Sequence, residues 1–198
     1  DKWISKNINK RKIYFQKYAT EKIIKGIKND LKFIGIKFNN FISEKNIVQK
    51  KYINDVFKKL KEENLLYEGI LQKPKIEIET DWEPRKQLLF KSTKYGDDLD
   101  RPLQKSNNEW TYFANDAAYH YYKITRGFDR LVNIWGSDHI GYIKRMKSIV
   151  KAMSGNENLL DIQICQIVRL FKDNKILKMS KREGNFVTLK EIVQEVGK

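Results

Sequence analysis

Between residues 131 and 136 the chain reads Leu-Val-Asn-Ile-Trp-Gly, a short and mostly apolar run that stops abruptly at a glycine. Such a run suits a strand of a parallel sheet, buried on both faces. Downstream, the pattern predicts a helix over 141–153, a second strand over 162–171, and a turn at 172–175 into Ile176 and Leu177. A last helix opens on the capping box Thr188-Leu-Lys-Glu191 and closes at Gly197. Strand, helix, strand, loop and helix make half of a doubly wound α/β domain.

The first third reads differently. Tyr14, Tyr18, Ile23, Ile27, Leu31 and Ile34 recur every three to five residues, as on a helix face, until Asn39-Asn40 breaks the pattern. A second amphipathic helix carries Val48, Tyr52, Val56 and Leu60 and ends near Asn64; both helices are expected to pack a core. Ile76 to Thr80 alternates like a half-exposed strand, residues 81–110 are polar with a turn at 105–108, and a helix is expected from Asp116 to Arg126, stopped by Gly127. The expected division is a helical region over 1–70 and an α/β region over 71–198.

Charge narrows the partners. Residues 1–70 hold 17 basic and 8 acidic side chains and residues 71–198 hold 23 and 17, so both parts contribute to the net +15. That excess favours a polyanion, because neutralising phosphates releases counterions, although a lysine-rich surface also serves solubility alone. Cys165 is the one cysteine, which allows no internal disulfide and no cysteine-based metal site and suits a reducing cytoplasm. No apolar run is long enough to span a bilayer and no signal peptide is visible.

Three stretches can carry chemistry. Gly136-Ser-Asp-His139 stands where the carboxyl end of a parallel strand should be, the usual place for a ligand. The glycine admits close approach, Asp138 can accept from ribose hydroxyls, and His139 can donate to a carboxylate; an ordinary helix cap reads equally well. In Tyr112-Phe-Ala-Asn-Asp116 a phenol and a carboxylate lie four apart, on one side of a turn that opens a helix. A carboxylate beside an aromatic ring receives a guanidinium well, but Asp is also a common helix N-cap. Lys178-Met-Ser-Lys181, followed by Arg182 and by Gly184-Asn185, presents two ammonium groups on a loop. They can close on a triphosphate and stabilise charge on departing pyrophosphate, with Ser180 and the Gly184 backbone cradling oxygens.

Together KMSKREGNFVTL, GSDHIGYIKRMK and TYFANDAAYH, in this order and spacing, resemble bacterial arginyl-tRNA synthetases, which are class I enzymes. The resemblance extends back through Asp81-Trp-Glu-Pro-Arg85 and Gly96 to Pro102. It implies the second half of a Rossmann-like catalytic fold, a parallel sheet with flanking helices, preceded by a helical inserted region. It implies ATP-dependent attachment of L-arginine to tRNA through an arginyl-adenylate, with Mg2+ accompanying ATP and no structural metal. The implied ATP contacts are Gly136, Asp138, Lys178, Met179, Ser180 and Lys181, with the two lysines catalytic. Tyr112, Asp116 and His139 are implied around arginine, Asp116 carrying the countercharge; His120 receives no role. The implied partners are tRNA, L-arginine and ATP, with no membrane, and the implied parent enzyme is a cytoplasmic monomer.

The sequence departs from the family in reading Ser106-Asn-Asn108 for Ser-Asp-Gly and Ala117 for a usual Ile. His139-Ile-Gly-Tyr142 nearly spells the class I signature His-Ile-Gly-His, but it lacks the second His and lies too close to the lysine loop. The first half of the nucleotide fold is therefore expected before Asp1, the chain is expected to be an internal fragment, and alone it is expected not to charge tRNA. A synthetase for another amino acid and a non-enzymatic basic RNA-binding module are the competing readings. A cysteinyl enzyme would need zinc-ligating cysteines, and the glutamyl and glutaminyl enzymes a cationic pocket in place of Asp116.

Overall fold

The computed structural model describes residues 7–49, 51–71, 84–172, 175–176 and 187–197. It divides into two compact units, one of residues 42–168 and one drawn from 1–41 and 169–198.

The second of these contains helix α1 (Ile8–Phe33), capped by Asn7, whose side chain accepts from the Asn9 amide at 2.8 Å. Contrary to the expected core role, α1 buries none of its residues. The five-residue step from Tyr18 to Ile23 turns the apolar stripe by roughly 140°, so the tyrosines and the isoleucines face different ways. Tyr14 and Tyr18 instead stack on each other with centroids 6.3 Å apart. The unit also holds a short antiparallel pair, β6 (Phe171–Lys172) with β7 (Lys175–Ile176), and α6 (Leu189–Val196), which opens on the expected capping box between Thr188 and Glu191. In β order these follow the strands of the larger unit.

In that larger unit the expected single helix before Asn64 is two, α2 (Glu44–Gln49) and α3 (Tyr52–Glu62). Ile53, Val56 and Leu60 form the buried stripe of α3, and each such side chain contributes about 1.5–3 kcal/mol by leaving water. Asn64, at φ 55°, ends the run in the left-handed region that Asn tolerates. A three-stranded antiparallel sheet follows, ordered β1 (Leu66–Gly69), β2 (Gln87–Phe90), β3 (Arg101–Gln104). The strand expected at 76–80 lies outside the described residues, and the polar stretch 81–110 contributes two strands that its pattern did not announce. The turn at 105–108 forms as expected, with the Asn108 amide donating to the Lys105 carbonyl at 3.0 Å.

Helix α4 (Tyr112–Thr125) starts a turn before the expected Asp116, because Thr111 caps it: the hydroxyl accepts from the Ala114 amide at 3.2 Å. β4 (Leu131–Gly136) and α5 (Ile143–Ser154) lie where expected, but β4 is not buried on both faces: Val132 and Ile134 are exposed on one of them, with nothing among the described residues packed over them. β5 (Leu160–Cys165) is shorter and earlier than the expected 162–171 and pairs with β4 in parallel from Leu131↔Leu160 to Gly136↔Cys165. α5 buries Met146, Ile149, Val150 and Met153, spaced as one face of a helix, and packs against α4 and β5. Phe90, Leu103, Phe113, Ala117 and Ala118 complete the core. No described helix is long and apolar enough to cross a membrane.

A buried ion pair fastens the sheet to α5. Gly96, at φ 94°, closes a 3-10 turn over Ser92–Tyr95 and delivers Asp97 to the interior. Arg101 donates to Asp97 through Nε (2.8 Å, to Oδ2) and Nη2 (2.9 Å, to Oδ1), and the Ser92 hydroxyl adds 2.7 Å to Oδ2. Ser92 also meets Ser148 of α5 at 2.5 Å. Burial opposes ionisation of Asp97, but the Arg101 and Ser92 hydrogen bonds outweigh it and hold the carboxyl below its usual range. Asp97→Ala removes the buried carboxylate that Arg101 grips through two nitrogens and should destabilise the unit by about 3–5 kcal/mol, measured by urea unfolding. With the folded pKa depressed, the Asp97 contribution is complete above the unfolded value and disappears as pH falls through the folded one. The variant should therefore lose less stability on acidification than the wild type.

Candidate functional site

The carboxyl end of β4 and one face of α4 enclose a pocket of about 370 Å³, lined by Tyr112, Asp116, Tyr119, His120, Lys123, Asn133, Trp135, His139, Tyr142 and Met146. The helical contributors stand at positions 112, 116, 119, 120 and 123, the three- and four-residue spacing of one helix face. The opposite face carries Phe113, Ala114, Ala117 and Ala118 into the core. Because Thr111 supplies the N-cap, Asp116 has no capping duty and its carboxylate faces the pocket.

Asp116 is half-buried. The Tyr142 hydroxyl donates to its Oδ2 at 2.9 Å. Burial raises the Asp116 pKa; the Tyr142 hydrogen bond opposes this, Glu44 adds to the rise, and Lys123 and His139 counter it, with burial prevailing. Tyr142 is pushed well above the ordinary phenol range by burial and by the Asp116 charge, so it stays a donor. The Arg145 guanidinium stands 4.7 Å from the centroid of its ring, and Trp135 and Phe113 flank it at centroid distances of 6.1 and 6.5 Å.

Behind the carboxylate runs a second chain of hydrogen bonds. His120 is buried, and desolvation, reinforced by Lys123, lowers its pKa from 6.5 to about 4. Its Nδ1 lies 2.8 Å from the Asp116 carbonyl oxygen, which can only accept, so Nδ1 carries the proton. The bare Nε2 accepts from Asn133 Nδ2 at 2.8 Å, and Asn133 Oδ1 accepts from Lys123 Nζ at 2.8 Å. Donation therefore runs one way: Lys123, Asn133, His120, Asp116 carbonyl.

The structure brings Tyr112, Asp116 and His139, the residues that the resemblance implies around arginine, to one pocket. Tyr112 is 71% exposed and forms the rim, while His139 tilts against Trp135 at a centroid distance of 6.2 Å. Gly136 and Asp138 sit beside the pocket, at the start of a 3-10 turn over Ser137–Tyr142. A side chain at Gly136 would run into the Asp138 carboxylate, and Asp138 Oδ2 lies 3.6 Å from His139 Nε2 with both side chains exposed. Lys178, Met179, Ser180 and Lys181 lie outside the described residues, as do Arg182 and Gly184. Sequence reasoning missed Tyr142, Lys123, Asn133, Tyr119, Trp135 and Met146. A signal existed for Asn133, a polar residue at an inward position of an apolar strand, and for Lys123, two helical turns beyond Asp116. A carboxylate oxygen with no hydrogen-bond partner among the described residues, set among aromatic walls, suits a planar organic cation, and the neutral His120 adds no positive charge to compete with it.

Three similarities bear on the site. The chain is 49% identical over 180 residues to an arginine–tRNA ligase of Ruegeria pomeroyi, covering 91% of this chain and 31% of that protein. It is 48% identical over 182 residues to an arginine–tRNA ligase of Cereibacter sphaeroides, covering 92% and 31%. The crystal structure of a putative arginyl-tRNA synthetase from Campylobacter jejuni superposes with a TM-score of 0.73 at 31% identity, over 91% of this chain and 36% of that one. The chain thus spans about a third of the length of the curated relatives it matches. No protein-family profile matches it.

His120 gives this arrangement an acid signature. With the folded pKa near 4 against 6.5 unfolded, the stability it contributes is complete above pH 6.5 and is lost as pH falls toward 4. His120→Gln should lower stability at pH 7 by about 1–3 kcal/mol and flatten the slope of unfolding free energy between those values. An unchanged slope in a titration of urea midpoints would contradict the buried, neutral imidazole.

Proposed function

Because the chain is homologous to arginine–tRNA ligases along about a third of their length, we propose that it is the part of such an enzyme that receives L-arginine and ATP. The parent reaction is ATP-dependent attachment of L-arginine to its tRNA through an arginyl-adenylate. The observation that carries this reading is the Asp116 pocket: one carboxylate oxygen held by the Tyr142 hydroxyl, the other open, and aromatic rings around them. A guanidinium offers a planar fork of donors to such a carboxylate, and it brings the positive charge that favours ionised Asp116.

In this reading Tyr112 closes the mouth over the arginine side chain and His139 stands by its polar end. Gly136 and Asp138 neighbour the ATP ribose; the exposed Asp138 carboxylate is chemically suited to accept from its hydroxyls. Lys178 and Lys181, with Met179 and Ser180 shaping their loop, draw charge from the departing pyrophosphate. Mg2+ arrives on ATP's phosphates and adds to that charge neutralisation. The positive excess in both parts of the chain suits tRNA. Residues 1–70 are then a helical insertion, and 71–198 the second half of a Rossmann-like nucleotide-binding fold. The parallel β4–β5 pair joined through α5 supports this, as does the exposed apolar face of β4 at Val132 and Ile134, which a larger sheet would cover. We place the parent enzyme in the cytoplasm, acting as a monomer.

Arginine-dependent charging of tRNA by the full-length polypeptide tests the reading. Asp116→Ala should lower kcat/KM for arginine by roughly 100-fold or more, with little change in tRNA affinity. Lys178→Ala/Lys181→Ala should lose several orders of magnitude in rate, with arginine binding kept. Arginine affinity that survives loss of Asp116 would refute the site.

A further inference from the structure

The pocket that faces a cationic substrate already contains a cation. Lys123 lies seven residues after Asp116 on α4, two turns along the same face, and helical side chains lean toward the N-terminus, here toward Asp116. Both groups are partly buried and both line the pocket, so their attraction is poorly screened. Yet among the described residues they form no ion pair within 4.0 Å. The ammonium is instead held 2.8 Å from Asn133 Oδ1, with the Tyr119 ring centroid 4.5 Å away.

Asn133 is fixed for that task by its own neighbours. The neutral His120 presents a bare Nε2, so only the amide nitrogen of Asn133 can face it, and the amide oxygen must face the other way, to Lys123. Asn133 itself is 5% exposed, at an inward position of β4, and cannot swing out to solvent. Its carbonyl therefore offers Lys123 a permanent acceptor on the strand side of the pocket, away from the carboxylate.

We propose that Asn133 is a positioning residue for arginine recognition: it holds the Lys123 ammonium away from Asp116 and so keeps the carboxylate open to the incoming guanidinium. The inference rests on the reading of Asp116 as the arginine receptor. Without the Asn133 acceptor, Lys123 turns to Asp116, the carboxylate among the described residues whose charge it feels. The substrate must then displace an internal cation before it can bind.

The test is arginine binding by isothermal titration calorimetry to the full-length protein. Asn133→Leu should weaken it roughly 10- to 100-fold, the loss of one charge-assisted contact. Adding Lys123→Met to that variant should restore affinity to within about threefold of wild type, because the competitor is gone. A double variant as weak as the single one would make Asn133 merely structural and overturn the proposal. Lys123→Met alone, which leaves every core residue in place, should bind arginine as well as wild type or better. A loss of more than about tenfold would mean that Lys123 serves the substrate directly, and would also overturn it. A crystal structure of Asn133→Leu separates this inference from the functional reading, since it needs no arginine. Lys123 Nζ within 4 Å of the Asp116 carboxylate is the expected result, and an ammonium that stays near Tyr119 or leaves the pocket refutes the displacement. If wild type fails to bind arginine, the functional reading falls, while the Lys123 position still decides the inference.

Discussion

A carboxylate drawn partly out of water must find compensation, and Asp116 finds only some of it among the described residues. The Tyr142 hydroxyl occupies one oxygen and the weaker fields of Lys123 and His139 assist, but burial prevails and its pKa stays raised. In the proposed function, the arginine guanidinium would supply the rest. The pocket is therefore shaped before the ligand arrives but electrostatically complete only with it. That division limits the reorganisation needed on binding and reserves the largest gain for a ligand of the correct charge.

One helix makes this possible by using two faces for two purposes. The core side of α4 is built largely from Ala114, Ala117 and Ala118, with Phe113 as its one large member. Small residues let α3 and α5 approach closely, and Ala117 is fully buried. The pocket side then carries its polar set at a fixed pitch. Thr111, with its hydroxyl donating to the Pro102 carbonyl at 2.8 Å and accepting from the Ala114 amide, sets where that pitch begins. Register on the helix becomes geometry in the pocket: a helix begun at Asp116 itself would have committed that carboxylate to capping.

The same logic explains which parts were legible in the sequence. β4, α5, the capping box of α6 and the Tyr112–Asp116 pair carry local signals, and each was read from residues within one or two turns. β2 and β3 carry none, because four-residue strands inside a polar stretch exist by virtue of their partners, β1 pairing with β2 and β2 with β3. The end of β5 was misjudged for a related reason: its apolar pattern continues, but the partner strand stops at Gly136, and pairing stops with it at Cys165. Tyr142 was visible as the residue that spoiled a His-Ile-Gly-His signature. Its role emerged only when the 3-10 turn after β4 carried it back to α4. The Lys123–Asn133–His120 chain joins a helix to a strand, and no window along the sequence contains that pairing.

The chain also holds an internal comparison for its own site. Asp97 is buried and Asp116 half-buried, and both receive a hydroxyl, from Ser92 in one case and Tyr142 in the other. Their other partners differ: Asp97 also accepts from the Asp98 amide at 2.8 Å, and Asp116 feels the nearby Glu44 charge. Asp97 is gripped by the Arg101 guanidinium through two nitrogens and titrates below the usual carboxylate range. Asp116 receives no guanidinium among the described residues and titrates above it. The Arg101 hydrogen bond comes first among the groups that lower Asp97, and Asp116 has no counterpart to it among the described residues. Arg101 thus offers, within the fold, a likeness of the interaction proposed for arginine at Asp116, and in that proposal the Asn133 contact keeps Lys123 from making it first.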